Sequence, residues 1–239
     1  MANLVQLKML EDLDGFLLVD KPEGIAFPTV VKTVKRKFNL VKVGHGGSLD
    51  AMASGLMVLL INDANRFVGE VMGADREYEG VMRWGLRTDT GDIHGRELSR
   101  STAALPTAAA LEAALGEFRG DVFQTEPRFC SVRKEGSAAY EVADTGEHSQ
   151  FLAHVYRLTA AIEGEAGVAF SLVATKQLIV RALVDDLGAR LGGGAALEKL
   201  RRTRTGRFSL AEAVPFERLL NTEIGGFAEL VQPLSVMRR

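Results

Sequence analysis

A glycine-rich loop that carries one carboxylate is the stretch of this 239-residue chain best suited to chemistry. Residues 44–55 read GHGGSLDAMASG and contain four glycines, His45 and Asp50. Glycine loses more backbone entropy on folding than any other residue, so a loop this rich in it is tolerated where something must approach the backbone closely. We therefore predict that the loop presents the Asp50 carboxylate to a ligand. An aspartate in a glycine turn is otherwise most often a cap or turn former.

Short apolar segments on both sides of the loop predict the elements that position it. Residues 15–19 (GFLLV) are predicted to form a buried strand that ends at the turn DKPEG, residues 20–24. A helix begins near Pro28, which suits a first helical turn, and apolar residues follow at helical spacing as far as Phe38. The apolar run 56–61 is short and is bounded by turn residues, which favours a second buried strand.

The rest of the chain mixes strands and helices without strict alternation. The predicted elements are a helix capped by Asp63 that runs through Met72, a strand at 78–86, a turn at 88–92, a helix at 107–118, an irregular stretch at 123–137, a hairpin of strands 151–162 and 168–174, and a helix at 179–191. Ser209 and Glu212 form a capping-box pattern that predicts a late helix. This mixture favours the α+β class over a doubly wound parallel sheet. No linker divides the chain, so we expect a single domain over residues 1–239.

Composition limits the classes of function that are open to the chain. The net charge of −2 does not favour a protein that coats nucleic acid. The single cysteine, Cys130, excludes an internal disulfide and any site that needs two thiolates. The histidines lack metal-ligand spacing and no nucleotide-binding glycine motif occurs, so we expect neither a metal nor a cofactor. Without a signal-like N-terminus or a membrane-length apolar run, a cytoplasmic protein without membrane contact is expected.

Basic residues are nevertheless clustered in two places. The first cluster comprises Lys32, Lys35, Arg36, Lys37 and Lys42, and the second comprises Arg201, Arg202, Arg204 and Arg207. Each cluster by itself is typical of a solvated surface. If both flanked one crevice, they would form a track for a phosphate backbone.

Seven segments, in order along the chain, carry a resemblance to a known family. They are GFLLVDKPEG (15–24), GHGGSLDAMASG (44–55), REY (76–78), GLRTDTGD (85–92), QTEPRFCSVRKEGSAAY (124–140), RALVDDLG (181–188) and LRR (200–202). Together they resemble the motifs of TruB-type tRNA pseudouridine synthases, from about residue 15 to residue 210. The chain departs from those motifs at Gly46, where the family has Thr, at Ala51 for Pro, at Ser54 for Thr, and at Ile179 for Tyr.

The resemblance implies a fold, an activity and a set of site residues. The implied fold is the α+β pseudouridine-synthase fold, with a mixed, mostly antiparallel sheet, flanking helices and a central RNA-binding cleft. Because the chain stops at Arg239, we expect no C-terminal RNA-binding (PUA) domain. The implied catalytic residues are Asp50, Tyr78 and Arg181. The implied substrate-binding residues are His45, Lys21, Gly46, Ile179 and Leu200, and the implied RNA phosphate contacts are Lys35, Arg36, Arg201 and Arg202.

The implied reaction breaks the N1–C1′ bond of a uridine, turns the uracil and joins its C5 to C1′. One carboxylate is needed at the sugar, either as the nucleophile at C1′ or as the base at C2′, and Asp50 stands where the motif has it. Arg181 would keep that carboxylate ionised, Tyr78 would stack on the flipped uracil, and His45 would fill the gap left in the RNA stack.

The expected substrate is the uridine at position 55 in the T-arm of tRNA, with the protein acting as a monomer and without a cofactor. Two alternatives remain open from the sequence. The same chemistry could act on another structured RNA hairpin. The chain could instead be a catalytically weak RNA chaperone that helps the T-arm to fold. The altered segment around Ile179 keeps this alternative open, whereas the intact Asp50, Tyr78 and Arg181 argue against it.

Overall fold

The computed structural model of the chain describes residues 10, 13–125, 129–130, 141–142 and 150–238. The chain forms two compact units. The first comprises Met1–Arg76 with Arg201–Arg239, and the second comprises Glu77–Leu200. The assignment of residues 1–239 to one catalytic domain stays a prediction.

Strands and helices are numbered along the chain within the described residues. The strands are β1 (Gly15–Lys21), β2 (Val43–His45), β3 (Ser54–Ile61), β4 (Arg76–Trp84), β5 (Leu86–Thr88), β6 (Glu97–Arg100), β7 (Gly120–Thr125), β8 (Phe129–Cys130), β9 (Glu141–Val142), β10 (Gln150–Glu163), β11 (Gly167–Ala174), β12 (Ala195–Thr205), β13 (Phe208–Ser209), β14 (Val214–Pro215) and β15 (Val231–Gln232). The α-helices are α1 (Phe27–Lys37), α2 (Val68–Gly73), α3 (Ala108–Glu117), α4 (Val180–Arg190) and α5 (Phe216–Asn221).

In the first unit, β1 and β3 form an antiparallel pair that is the centre of the sheet. The pair runs from Gly15 opposite Ile61 to Lys21 opposite Gly55. Short strands β14 and β15 pair with β1, and β2 pairs with β3. Almost every residue of β3 is buried, because apolar side chains cover both faces of the sheet here. This explains why its sequence is a continuous apolar run rather than an alternating one.

In the second unit, the neighbouring strands follow the order β12, β4, β11, β10, β7. Strands β10 and β11 form the predicted hairpin, which closes at Glu163 opposite Gly167, and β7 pairs antiparallel with β10. Helix α4 buries Leu183, Val184 and Leu187 at helical spacing. Most described strand pairs in the two units are antiparallel, so the predicted α+β class is confirmed.

Two predicted helix starts are wrong. Residues 62–67 form a 3₁₀-helix in which Asp63 lies inside the turn, and the α-helix begins only at Val68. The cause is Asn62, which has a positive φ of 46° and donates its side-chain amide to the carbonyls of Leu10 and Leu13. Ser209 caps only a three-residue 3₁₀-turn, accepting from the Ala211 amide, and the late helix α5 begins at Phe216.

The stretch predicted to be irregular over 123–137 begins as a strand, because β7 extends to Thr125. Residues 126–128 and 131–140 of that stretch, and of the fifth motif, lie outside the described residues. In the part of the chain that is described, no helix has the length and apolarity needed to cross a bilayer.

Candidate active site

The glycine-rich loop follows β2 and leads directly into β3 of the first unit. The Gly46 amide donates to the Val58 carbonyl (2.8 Å), and the Ala53 amide closes a turn on the Asp50 carbonyl (3.1 Å). Asp50 itself is half-buried. The first half of the loop is therefore attached to β3 through Gly46, and the second half is closed by a turn that begins at Asp50.

Arg202 holds the first half of the loop. Its guanidinium donates to the carbonyls of Leu56 (2.8 Å), Ser48 (2.9 Å) and Gly47 (3.4 Å), and the residue is 1% exposed. The planar fork of arginine suits several fixed acceptors at once. The guanidinium is therefore buried on backbone carbonyls, and the predicted contact of Arg202 with RNA phosphate stays a prediction.

The close approach of β12 to the loop requires the glycine at the start of β3. Gly55 has a φ of +102°, and a Cβ at this position would lie 2.4 Å from the Arg202 carbonyl oxygen. Residues Arg201 and Arg202 pair in parallel with Ser54 and Gly55 across this contact. The last glycine of the loop motif therefore serves strand packing and the placement of Arg202.

Lys21 holds the other side of the loop. Its ammonium is fully buried and donates to the carbonyls of Pro22 (2.8 Å), Ile25 (2.8 Å) and Ala51 (3.2 Å). Lys21 thus supports the loop from below the surface, and its predicted contact with substrate stays a prediction. Since Ala51 directly follows Asp50, buried cations bracket the carboxylate from both directions along the chain.

Burial lowers the pKa of Lys21 from 10.5 to about 8, while the Asp50 and Glu23 carboxylates act in the opposite direction and Arg202 adds to the lowering. A buried ammonium loses its hydration, which three carbonyl acceptors only partly replace. The positive charge beside Asp50 is therefore present at neutral pH and is lost on mild alkalinisation.

This lowered pKa predicts a specific alkaline dependence of stability. Above about pH 8 the folded protein releases the Lys21 proton, whereas the unfolded chain keeps it up to about pH 10.5. As the pH rises from about 8 to about 10.5, this group is expected to raise the free energy of unfolding by up to about 3 kcal/mol. Below about pH 8 it should cause no change with pH. Urea denaturation across this range should show the gain in the wild type and not in Lys21→Met. Equal pH slopes in the two proteins would contradict the assignment.

The remaining positive charges of this unit are placed differently. Arg201 forms an ion pair with Asp20 (2.7 Å) and reaches Ser54 Oγ (3.3 Å), but its side chain is 41% exposed. Lys35 and Arg36 are exposed in the last turn of α1. A phosphate contact of these three residues stays a prediction.

Arg181 lies in the second unit, in the first turn of α4, and is 4% exposed. It donates to the Thr90 carbonyl (2.5 Å) in the TDTGD segment, so it is not a solvated helix charge. Tyr78 on β4 and Leu200 on β12 are also buried. Arg181 further lines a groove of about 660 Å³ in this unit, together with Thr90, Phe123 and Asp185.

Ile179, the residue that departs from the family motif, is the N-cap of α4 and has no side-chain cap bond. Its backbone is instead held by the buried side chain of Gln124 on β7. The motif pattern assigns no role to this glutamine, although it opens the fifth motif. Neither Gln124 nor Arg202 could be recognised as a backbone ligand, since their acceptors lie far away in sequence.

Comparison with known proteins decides the family. The model of the TruB family pseudouridylate synthase N-terminal domain matches residues 35–161, and that of the tRNA pseudouridylate synthase B C-terminal domain matches residues 181–234. The chain belongs to the TruB family of pseudouridylate synthases. The resemblance noted in the sequence is thereby confirmed.

Individual relatives agree with this assignment. The tRNA pseudouridine synthase B of Stutzerimonas stutzeri is 35% identical over 97% of this chain and 77% of its own length. That of Opitutus terrae is 37% identical over 87% of this chain and 88% of its own length. A chain in the crystal structure of a Cbf5-Nop10-Gar1 complex superposes with a TM-score of 0.70 at 24% identity, over 95% of this chain and 62% of that one, which shows a shared fold.

His45 of the TruB-family loop is held at the end of β2. Its ring lies 5.0 Å from the Phe27 ring at a tilt of 58°, and its Nδ1 accepts from the Gly47 amide (3.3 Å). In the neutral ring the proton is then on Nε2. The ring is half-buried and is oriented from two sides. Its predicted place in the RNA stack stays a prediction.

Gly46 stands where the TruB motif has Thr, and its surroundings explain the difference. A Cβ at Gly46 would lie 2.3 Å from Val71 Cγ1 and 3.3 Å from Val58 Cβ. Val71 of α2 thus occupies the space that a side chain at position 46 would need. Direct contact of Gly46 with substrate stays a prediction.

Restoring the family residue should therefore destabilise this protein. Gly46→Thr is expected to lower the free energy of unfolding by about 1–3 kcal/mol through overpacking against Val71. The double variant Gly46→Thr/Val71→Ala should lose less free energy of unfolding than the two single variants lose together, by at least about 1 kcal/mol. Urea titration of the four proteins measures this coupling. Strict additivity would show that Val71 is not the obstacle.

Proposed function

We propose that this chain isomerises uridine to pseudouridine in tRNA, at position 55 of the T-arm. The observation that carries the proposal is the loop of Asp50, the residue at the position of the family's catalytic acid. The backbone carbonyls of Ser48 and Ala51, before and after Asp50 in the chain, accept from the buried cations Arg202 and Lys21. Membership in the TruB family and the names of its relatives support the reaction and the substrate.

The reaction breaks the N1–C1′ glycosidic bond and forms a C5–C1′ bond in the same uridine. The C5 proton leaves and N1 gains a proton, so that no atom is lost and no redox change occurs. Asp50 acts at the sugar, either by attacking C1′ or by taking the C2′ proton. Both roles require an ionised carboxylate.

Further roles of individual residues are part of the proposal and derive from the family motifs. Tyr78 stacks on the flipped uracil and accepts the C5 proton, and Arg181 is the cation that the family motifs assign to the active site. His45 fills the place of the flipped base in the RNA stack. Leu200 and Ile179 contact the uracil, and because Ile179 has neither a ring nor a hydroxyl, we expect weaker substrate holding than in relatives with tyrosine.

The RNA is read by its shape and by its flipped base, with phosphate contacts from Lys35, Arg36 and Arg201. We further propose that the chain works in the cytoplasm as a monomer and as one catalytic domain. Binding through a few surface cations by an acidic protein should be modest and should weaken as salt concentration rises.

One experiment tests the reaction and its substrate. The purified protein is incubated with unmodified tRNA transcript, and pseudouridine is mapped by carbodiimide modification and primer extension. A stop at position 55 is the expected result. A product at another hairpin would favour the alternative substrate, and binding with T-arm refolding but without product would favour the chaperone hypothesis.

A further inference from the structure

The side chain of Gln124 and the backbone of Ile179 form a closed pair of hydrogen bonds in the second unit. Gln124 Nε2 donates to the Ile179 carbonyl (3.1 Å), and the Ile179 amide donates to Gln124 Oε1 (2.9 Å). The carboxamide thus binds the backbone amide and carbonyl of this residue as a neighbouring strand would, with one donor and one acceptor. Few side chains can do this, because both partners of the pair must be supplied by one planar group.

Gln124 is suited to be a rigid support for this contact. It is 1% exposed and points inward from β7, in which Val122 is also buried while Asp121 and Phe123 face outward. A buried carboxamide that lost its partners would leave polar groups unsatisfied, so the pair is held in place by the cost of breaking it.

The contact lies immediately before Arg181. Ile179 is the N-cap of α4, its carbonyl accepts the first helical bond from Leu183 (3.1 Å), and its own side chain makes no cap bond. The position of the Ile179 peptide therefore determines where the helix begins. Two residues later, Arg181 is 4% exposed and donates to the Thr90 carbonyl.

We propose that Gln124 is a positioning residue for pseudouridine formation, which acts by fixing the Ile179 peptide and, through it, Arg181. This inference rests on the proposed function. It assigns to Gln124 on β7 a task in the active site, whereas the motif pattern gives this residue no role.

Two variants separate positioning from general stability. Gln124→Met keeps the length of the side chain and removes both hydrogen bonds. Gln124→Glu keeps the acceptor, but its carboxylate faces the Ile179 carbonyl without a donor. When protonated, the carboxylic acid donates to that carbonyl and accepts from the Ile179 amide, as the carboxamide does. Burial and the facing carbonyl raise the pKa of such a carboxyl, so it protonates within an accessible pH range.

The experiment measures single-turnover pseudouridine formation with enzyme in excess over tRNA, alongside circular dichroism to give the folded fraction. At neutral pH both variants are expected to react roughly 10- to 100-fold more slowly per folded molecule, with RNA affinity changed much less. As pH falls, the rate of Gln124→Glu relative to the wild type should recover, while that of Gln124→Met should not. Gln150→Glu, an exposed change on the neighbouring strand β10, is the matched control.

The outcomes distinguish this proposal from the proposed function. An inactive wild type would overturn the proposed function and this inference with it. An active wild type together with variants that react at the wild-type rate per folded molecule would overturn only the positioning role. The positioning role would also be overturned if Gln124→Glu showed no pH-dependent recovery, because the hydrogen-bond pair would then not be what controls the rate.

Discussion

Asp50→Asn is expected to reduce pseudouridine formation by at least roughly 10³-fold, or about 4 kcal/mol in the activation barrier. Asparagine has nearly the same shape but can neither attack C1′ nor take the C2′ proton. The fold should tolerate the change, because the loop is held through backbone carbonyls by Arg202 and Lys21 and not through this side chain alone. Single-turnover assays on tRNA transcript, with carbodiimide mapping of the product, measure the loss.

A control is needed for the removal of a negative charge from an acidic protein. Asp75→Asn removes one charge from an exposed position of the same unit and is expected to leave the rate within about twofold of the wild type. Asp50→Glu keeps the charge and displaces the carboxylate by one methylene, so it should also react far more slowly. Wild-type rates in Asp50→Asn would remove Asp50 from the chemistry.

Arg202→Met is expected to lower the free energy of unfolding by about 3–5 kcal/mol. The substitution leaves the carbonyls of Gly47, Ser48 and Leu56 without the donor that satisfies them below the surface. The loop that carries Asp50 should loosen at the same time, so the rate of the molecules that remain folded should fall roughly 10²-fold. Urea denaturation and single-turnover kinetics measure the two effects.

The neighbouring arginine supplies the matched control for stability. Arg201→Met removes an ion pair with Asp20 from a side chain that is 41% exposed, and its cost is expected to be below about 1 kcal/mol. Arg202→Lys should lie between the two, since an ammonium keeps the charge but cannot span acceptors that a guanidinium reaches with its fork. Equal losses of unfolding free energy in Arg201→Met and Arg202→Met would show that the burial of Arg202 on the loop carbonyls does not contribute to stability.

Arg202 and Lys21 hold the Asp50 loop in the same way. Both are charged residues used as internal ligands for backbone carbonyls around one carboxylate. A cation buried in this way stiffens the loop and places positive charge near Asp50, whereas a neutral donor would only do the first. The alkaline titration of Lys21 separates these effects, because deprotonation removes the charge and keeps most of the side chain in place.

The amino-acid sequence by itself determined the local elements and the reactive loop. The apolar run 56–61, the helical spacing after Pro28 and the glycine-rich segment around Asp50 predict a strand, a helix and a presented carboxylate, and β3 and α1 confirm the first two. Such features depend on neighbours within a few residues, so the local amino-acid sequence is enough to predict them. The motifs also identified the family before any geometry was known.

Only the tertiary structure decided which polar and charged residues are internal. Arg202 reaches the Ser48 carbonyl across 154 residues of sequence, and Gln124 reaches the Ile179 peptide across 55. Their acceptors are backbone carbonyls, which every residue has, so no side-chain pattern marks them. A surface arginine and a buried one look alike in sequence, because the difference lies in the free energy of desolvation and in the acceptors that the fold brings to it.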